Sequence, residues 1–266
     1  MSIGIFDSGV GGLTVLKEVR NVLPNEKIIY LGDTARVPYG EKTKDLIVRY
    51  SKQIVEFLIE EKVDAIVVAC NTATSLALDE LNKTFKTPII GVIEAGVRTA
   101  LYTTENNRIG VIGTKATINS KKYETEIKKR NHEIEVYSKS CPLFVPAIEE
   151  GIIKGKLINQ MVQMYLDDFK DKIDSLILGC THYPLLKETI SNIYPNIKIV
   201  DPAKETAQDL KEILIKENLL KNDAEKGHEV EYFVTDGQDK FKEIGIMFLN
   251  ENIDHVNLIK LYKKFF

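Results

Sequence analysis

The sequence predicts an α/β fold made of two related lobes of parallel sheet. Short β-branched runs alternate with longer amphipathic stretches, the pattern of parallel strands joined by crossover helices. The runs 65–69 and 175–178 are apolar on both alternating faces, as strands covered on both sides must be. Two strand–loop units also recur in the same order at nearly the same spacing.

In chain order, strands are expected at Ile3–Phe6, Lys27–Leu31, Ala65–Ala69, Ile89–Val92, Arg108–Ile112, Glu133–Tyr137, Ser175–Leu178, Ile197–Val200 and Glu229–Thr235. Helical periodicity lies between them, for example at Thr43–Glu61, Ser120–Arg130, Lys156–Asp168 and Thr206–Glu217. No Pro/Ser-rich linker appears, and the weak break is around Gly91–Gly96, so the lobes should pack closely. In the clearer repeat, Lys62 to Thr72 (KVDAIVVACNT) matches Lys172 to His182 (KIDSLILGCTH) at an offset of 110 residues, from Cys70 to Cys180. In the other, Ile3-Gly4-Ile5-Phe6-Asp7-Ser8 matches Ile109-Gly110-Val111-Ile112-Gly113-Thr114 at an offset of 106, from Ile3 to Ile109.

Composition narrows the function. At 44% hydrophobic and 28% charged, with no low-complexity tract, the 266 residues read as an ordinary globular protein. A net charge of -3 and evenly spread lysines give no reason to expect nucleic acid as a partner. No apolar run approaches the ~20 residues of a membrane span, and no signal-peptide pattern opens the chain. Three cysteines, Cys70, Cys141 and Cys180, argue for a reducing compartment and against a disulfide framework. The expected location is the cytoplasm.

The chemistry points to two of these cysteines. Cys70 and Cys180 each follow a buried strand at its carboxyl end, where open α/β sheets place their ligands. Asn71-Thr72 and Thr181-His182 then offer backbone N–H groups and short polar side chains suited to a carboxylate. A single cysteine in such a place is more often an inert core residue, the reading kept for Cys141. Two at matched strand ends argue otherwise. Zinc would want more ligands than Cys180 and His182 supply, and a redox pair would suit a Cys-x-x-Cys motif. Two thiols across a cleft suit an opposed acid and base acting on one carbon. Asp7 and His182 are the candidates for moving their protons, against the plainer readings of turn cap and structural histidine. Gly9-Val10-Gly11-Gly12 fits neither a dinucleotide fingerprint nor a phosphate loop, and reads as a tight turn closely approaching a small ligand. Arg36, in the polar loop from Asp33 to Gly40, is either a carboxylate contact or an ordinary exposed arginine.

Taken together, the motifs resemble the glutamate racemase family of the aspartate/glutamate racemase superfamily. They are Phe6 to Thr14 (FDSGVGGLT), Asp33 to Gly40 (DTARVPYG), Ala69 to Ala73 (ACNTA) and Gly179 to Pro184 (GCTHYP). Gly113 to Thr117 and Pro142 to Gly151 fit the same family, and Val234-Thr235-Asp236-Gly237 is a weaker match. The resemblance implies two pseudo-symmetric lobes, 1–94 plus 207–266 and 95–206, with the active site in the cleft between them. It implies racemisation of L- and D-glutamate without cofactor or metal, supplying D-glutamate for peptidoglycan, in a chain that is commonly a homodimer. Cys70 would then act on the D-enantiomer with Asp7 assisting, and Cys180 on the L-enantiomer with His182 assisting. Glu149 would be a further helper near Cys180. Implied substrate contacts are Asp7, Ser8, Tyr39, Gly40, Asn71, Thr72, Thr181 and His182, with Thr114 and Thr117 as weaker ones. A related aspartate or hydantoin racemase would share the two-cysteine logic, although the long opening motif disfavours it. A non-catalytic carboxylate-binding protein on the same lobes is the other alternative.

Overall fold

The protein's structure is a computed structural model that describes residues 1–220 and 229–261. Among these residues ten strands form two wholly parallel sheets. The first contains β1 (Ser2–Asp7), β2 (Lys27–Gly32), β3 (Ala65–Val68), β4 (Ile89–Gly91), β9 (Val230–Val234) and β10 (Asn257–Leu258), in the order β10-β9-β2-β1-β3-β4. The second contains β5 (Arg108–Gly113), β6 (Glu135–Ser140), β7 (Ser175–Gly179) and β8 (Lys198–Val200), in the order β6-β5-β7-β8. Four-strand units of identical order thus recur, β2-β1-β3-β4 and β6-β5-β7-β8.

The repeat extends to register. Ile3 pairs with Ala65 in the first sheet, and Ile109 with Ser175 in the second. Ile66 pairs with Ile89, and Leu176 with Ile199. Each pair maps onto the other by the offsets that the sequence repeat supplies. Two related α/β units are therefore present, as expected.

All nine expected strands occur. β6 begins at Glu135 rather than Glu133, because Glu133 donates its N–H to the Asn131 side chain in the preceding turn. β10 was not anticipated, since two residues carry no readable periodicity. The helices joining the strands are α1 (Leu13–Val22), α2 (Lys44–Glu60), α3 (Asn71–Thr84), α4 (Val92–Thr103), α5 (Lys115–Asn119), α6 (Lys122–Arg130), α7 (Phe144–Glu149), α8 (Lys156–Leu166), α9 (Lys187–Ile193), α10 (Ala203–Lys216) and α11 (Gln238–Leu249). The pattern at 120–130 shortens to α6, because Lys121 turns left-handed at φ 53 just before it. Around Gly91–Gly96 the chain passes straight from β4 into α4, so the weak break is a strand-to-helix turn. No helix among the described residues is long and apolar enough to cross a membrane.

Amphipathic helices cover the sheets. On α1, Leu13, Val15, Leu16 and Val19 face inward against the first sheet, joining Ile3, Ile5 and Ile28 in one apolar cluster. On α2, Ile47, Ile54, Val55 and Leu58 cover the opposite face with Phe6 and Ile29. Between the lobes, α6 projects Tyr123, fully buried, whose hydroxyl donates to the Asn71 side-chain oxygen at 2.7 Å. Replacing Tyr123 by Phe leaves that oxygen buried without its donor, a loss of about 1–3 kcal/mol. Urea unfolding of Tyr123→Phe should show a midpoint lowered accordingly with the slope unchanged; an unaltered midpoint contradicts the bond's contribution.

Candidate active site

In each sheet the chain reverses direction across the order at its first strand, β1 or β5, with neighbours reached by opposite crossovers. Such switch points open a crevice at the strands' carboxyl ends. In this protein the two crevices face each other. Asp7 ends β1, Cys70 follows β3, Thr114 follows β5 and Cys180 follows β7. Between them lies a cavity of about 530 Å³.

Asp7 is completely buried. One carboxylate oxygen accepts the Gly9 N–H at 3.0 Å, and the other accepts the Thr181 hydroxyl at 3.4 Å from the second lobe. Burial pushes its pKa above the ordinary carboxylate value, against the opposing pull of His182 and these donors. The following glycines form the expected tight turn, but its close approach is to the other lobe rather than to a ligand alone. A Cβ on Gly11 would stand 2.3 Å from the Thr181 hydroxyl oxygen and 2.4 Å from His182 Nδ1. Thr14 closes the same junction, its hydroxyl donating toward the Thr181 carbonyl at 3.2 Å.

Cys70 caps α3, its sulfur accepting the Ala73 N–H at 3.5 Å. Burial and then the Asp7 carboxylate push the thiol up to about 12, against hydrogen bonds from Ala73 and Ser8. Cys180 has a different companion: its sulfur lies 4.0 Å from His182 Nδ1, while His182 Nε2 lies 3.0 Å from Glu149. Burial disfavours a charged imidazole, but the bonds to Cys180 and Glu149 and the field of Asp7 outweigh it and raise His182 to about 10. The reciprocal bond holds Glu149 below the usual carboxylate range, against partial burial. The Phe248 ring meets the imidazole edge-on at 5.4 Å and fixes its plane.

The hydroxyls of Thr72, Thr114 and Thr117 form a triangle across the lobe boundary, at 2.9, 3.2 and 3.0 Å. Thr72 and Thr114 line the cavity, as do Ser8, Tyr39, Gly40, Cys70, Asn71, Glu149, Cys180, Thr181 and His182. Two expected contacts lie behind this lining: Asp7 under Thr181, and Thr117 under the other two threonines. The Tyr39 hydroxyl is committed to the Asp33 carboxylate, and the Asn71 oxygen to Tyr123, so each meets the cavity with its remaining surface. Arg36 does bind a carboxylate, but one belonging to the protein rather than to a ligand. It pairs with Asp33 at 2.7 Å and lies over the Tyr50 ring at 4.2 Å, mostly covered and outside the cavity lining.

Sequence reasoning missed several cavity walls. Val37, Pro38, Pro142, Val145 and Pro146 form an apolar margin within motifs already quoted, whose polar positions alone carry a chemical signal. Lys240 arrives from the first turn of α11, with no local signal to mark it. Cys141 touches the cavity edge, but its sulfur is turned toward the Lys139 carbonyl at 3.8 Å, and burial raises its thiol. Among the described residues no cluster of three or more His, Cys, Asp or Glu side chains is arranged to hold a metal ion.

Comparison with known proteins adds the family. The profile described as Asp/Glu/Hydantoin racemase matches residues 13–210. The chain belongs to the Asp/Glu/Hydantoin racemase family. Within this family, the chain is 49% identical to the glutamate racemase of Aquifex aeolicus over 254 residues, 96% of each chain. It is 50% identical to that of Persephonella marina over 264 residues, 99% of this chain and 98% of the relative. The crystal structure of Francisella tularensis glutamate racemase in complex with D-glutamate superposes with a TM-score of 0.91 at 43% identity, covering 98% of this chain and 97% of that one. Picrophilus torridus aspartate racemase, at 18% identity and a TM-score of 0.58 over 80% of this chain and 93% of its own, shares the fold.

The His182 arrangement within this racemase-family site has a pH signature. A histidine whose folded pKa is raised contributes stability fully below its unfolded value near 6.5, and loses it as pH rises through about 10. Urea midpoints of the native protein should therefore fall more steeply across that window than those of His182→Gln. In Glu149→Gln the imidazole, followed by NMR, should titrate at lower pH. An unchanged titration would remove Glu149 as its partner.

Proposed function

We propose that this chain interconverts L- and D-glutamate by a two-base mechanism using Cys70 and Cys180. The observation that carries this reading is the presence of both thiols on one cavity, each at the carboxyl end of a corresponding strand in a different lobe. The substrate assignment is supported by near-full-length relatives named glutamate racemase.

The substrate's carboxylates are held by backbone N–H groups and hydroxyls around Ser8, Asn71, Thr72, Thr114 and Thr181, with Tyr39 and Gly40 as the facing wall. One thiolate removes the α-proton, the opposite thiol donates a proton to the other face, and the configuration inverts. Cys70 is the base for the D-enantiomer and Cys180 for the L-enantiomer. A thiol at about 12 ionises reluctantly, and the substrate ammonium group supplies positive charge near Cys70 when it is needed. Asp7 assists on that side. His182, oriented by Glu149, exchanges protons with Cys180. No step in the scheme calls for a cofactor or metal. We further read the chain as a cytoplasmic homodimer supplying D-glutamate for peptidoglycan, supported by its sparse cysteines and family membership. The lobes are 1–94 plus 207–266 and 95–206, a division supported by the return of β9 and β10 to the first sheet.

The direct test is loss of optical rotation when purified protein is incubated with L-glutamate. Cys70→Ala and Cys180→Ala should each lose at least about 10²–10⁴ in rate in both directions, the value of one general acid–base partner. Cys141→Ala should stay near the native rate. In heavy water the newly formed enantiomer should carry solvent deuterium. Racemisation at near the native rate by either alanine variant defeats the two-thiol scheme.

Substrate length supplies a separate check. A shorter diacid leaves buried donors unpaired at about 1–3 kcal/mol each. Aspartate should accordingly be at least about tenfold poorer in kcat/KM, a difference of roughly 1.4 kcal/mol. Equal use of aspartate would reassign the substrate.

A further inference from the structure

We propose that Asp33 is a positioning residue that holds the Tyr39–Gly40 wall against Thr114 and thereby sets the affinity for substrate. This rests on the glutamate reading above. Asp33 is fully buried, lies outside the cavity lining, and has no part in the proton transfers.

Three side chains, two from its own loop and one from the segment after β9, converge on its carboxylate. Arg36 Nε donates at 2.8 Å to one oxygen and lies 2.7 Å from the other. The Tyr39 hydroxyl donates to Oδ2, and the Thr235 hydroxyl donates to Oδ1 at 2.9 Å. Charge-assisted bonds of this kind are the strong ones, and a buried carboxylate that loses its donors is costly. The junction is then doubled. The Thr235 hydroxyl accepts the Ala35 N–H at 2.9 Å, while the Thr34 hydroxyl donates to the Asp236 carbonyl and accepts the Asp236 N–H at 2.9 Å. The loop from Asp33 to Gly40 is thus clasped to the segment that leads into α11.

The far end of this loop meets the second lobe. A Cβ on Gly40 would stand 2.6 Å from Thr114 Cβ, so the backbone at Gly40 rests directly on that threonine. Thr114 in turn bonds Thr72 at 2.9 Å, and both face the cavity. Contact therefore runs from Asp33 through Tyr39 and Gly40 to two cavity hydroxyls. Burial and the neighbouring Asp33 also keep the Tyr39 hydroxyl protonated, raising it well above its ordinary value, so it remains a donor. An Asn at position 33 keeps the shape but removes the charge that holds Arg36 and aligns Tyr39. The Thr72 and Thr114 hydroxyls then lose their fixed spacing, while Cys70 and Cys180 keep their strands.

The test compares native protein, Asp33→Asn, Thr235→Val and Thr235→Ser. Asp33→Asn should raise KM for glutamate at least tenfold while kcat stays within threefold. Thr235→Val should move KM in the same direction by less, and Thr235→Ser, which keeps the hydroxyl, should restore it. A merely structural role would lower the unfolding midpoint and leave KM of the folded fraction alone. Independently of activity, the Thr114 methyl resonance should shift in Asp33→Asn relative to the native spectrum. Unchanged KM in a folded Asp33→Asn, a fall in kcat alone, or an unmoved Thr114 methyl overturns the proposal. Failure of the native protein to racemise glutamate counts instead against the substrate assignment, and the Thr114 resonance still decides the positioning role.

Discussion

The two lobes touch where their strands end, and the contact depends on a position that carries no side chain. Gly11 lies so near Thr181 and His182 that a methyl group there would overlap both. Everything chemical in the cavity follows from that closeness. Thr181 reaches Asp7, the Asp7 field reaches His182, and sulfurs from separate sheets share one cavity. An overpacked contact of this kind typically costs 1–3 kcal/mol even after relaxation, and relaxation here would draw the lobes apart.

The backbone repeats, but the electrostatics do not. Cys70 sits beside a carboxylate, under burial that resists its ionisation; Cys180 sits beside an imidazole that is itself held by a carboxylate. In the two-thiol scheme the chemistry is nearly mirror-symmetric, since each enantiomer is the other's product. The protein meets that symmetry with duplicated strands and with unlike groups behind them. Buried donors and charges carry direction-dependent costs, so the two proton transfers need not be equally easy at a given pH.

Much of this architecture was readable because parallel strands covered on both faces leave an apolar run at each position in the sequence. The repeat was more exact than its residue identities suggested, since its offsets reproduce the pairing of Ile3 with Ala65 and of Ile109 with Ser175. Most of the cavity's polar residues are legible in the sequence, chiefly those that follow strand ends, whereas Glu41, Lys115, Glu150 and Tyr183 line it without having been singled out. What stayed hidden depends on side-chain direction. No spacing rule reveals that the Tyr39 hydroxyl turns to Asp33, that Arg36 is spent on the same carboxylate, or that Asp7 sits behind Thr181. Lys240 enters through tertiary packing of a helix whose sequence separation from both cysteines is large.

β2 and β6 hold the same place in their respective sheets, yet they live in different surroundings. β9 and β10 continue the first sheet beyond β2, which is buried along nearly its whole length. Among the described residues nothing continues the second sheet beyond β6, so that strand is an outer edge with no buried residue. An edge written like β2, with Ile28-Ile29-Tyr30-Leu31, would offer unpaired backbone groups and an apolar surface to any passing strand. The β6 sequence instead places Glu135 and Lys139 there, each in an ion pair, with Arg108 and Asp168 respectively. A chain built by copying one half therefore could not keep this strand unaltered without inviting self-association. The apolar likeness between the halves accordingly holds in β1 and β5, and in β3 and β7, and is absent at the rim.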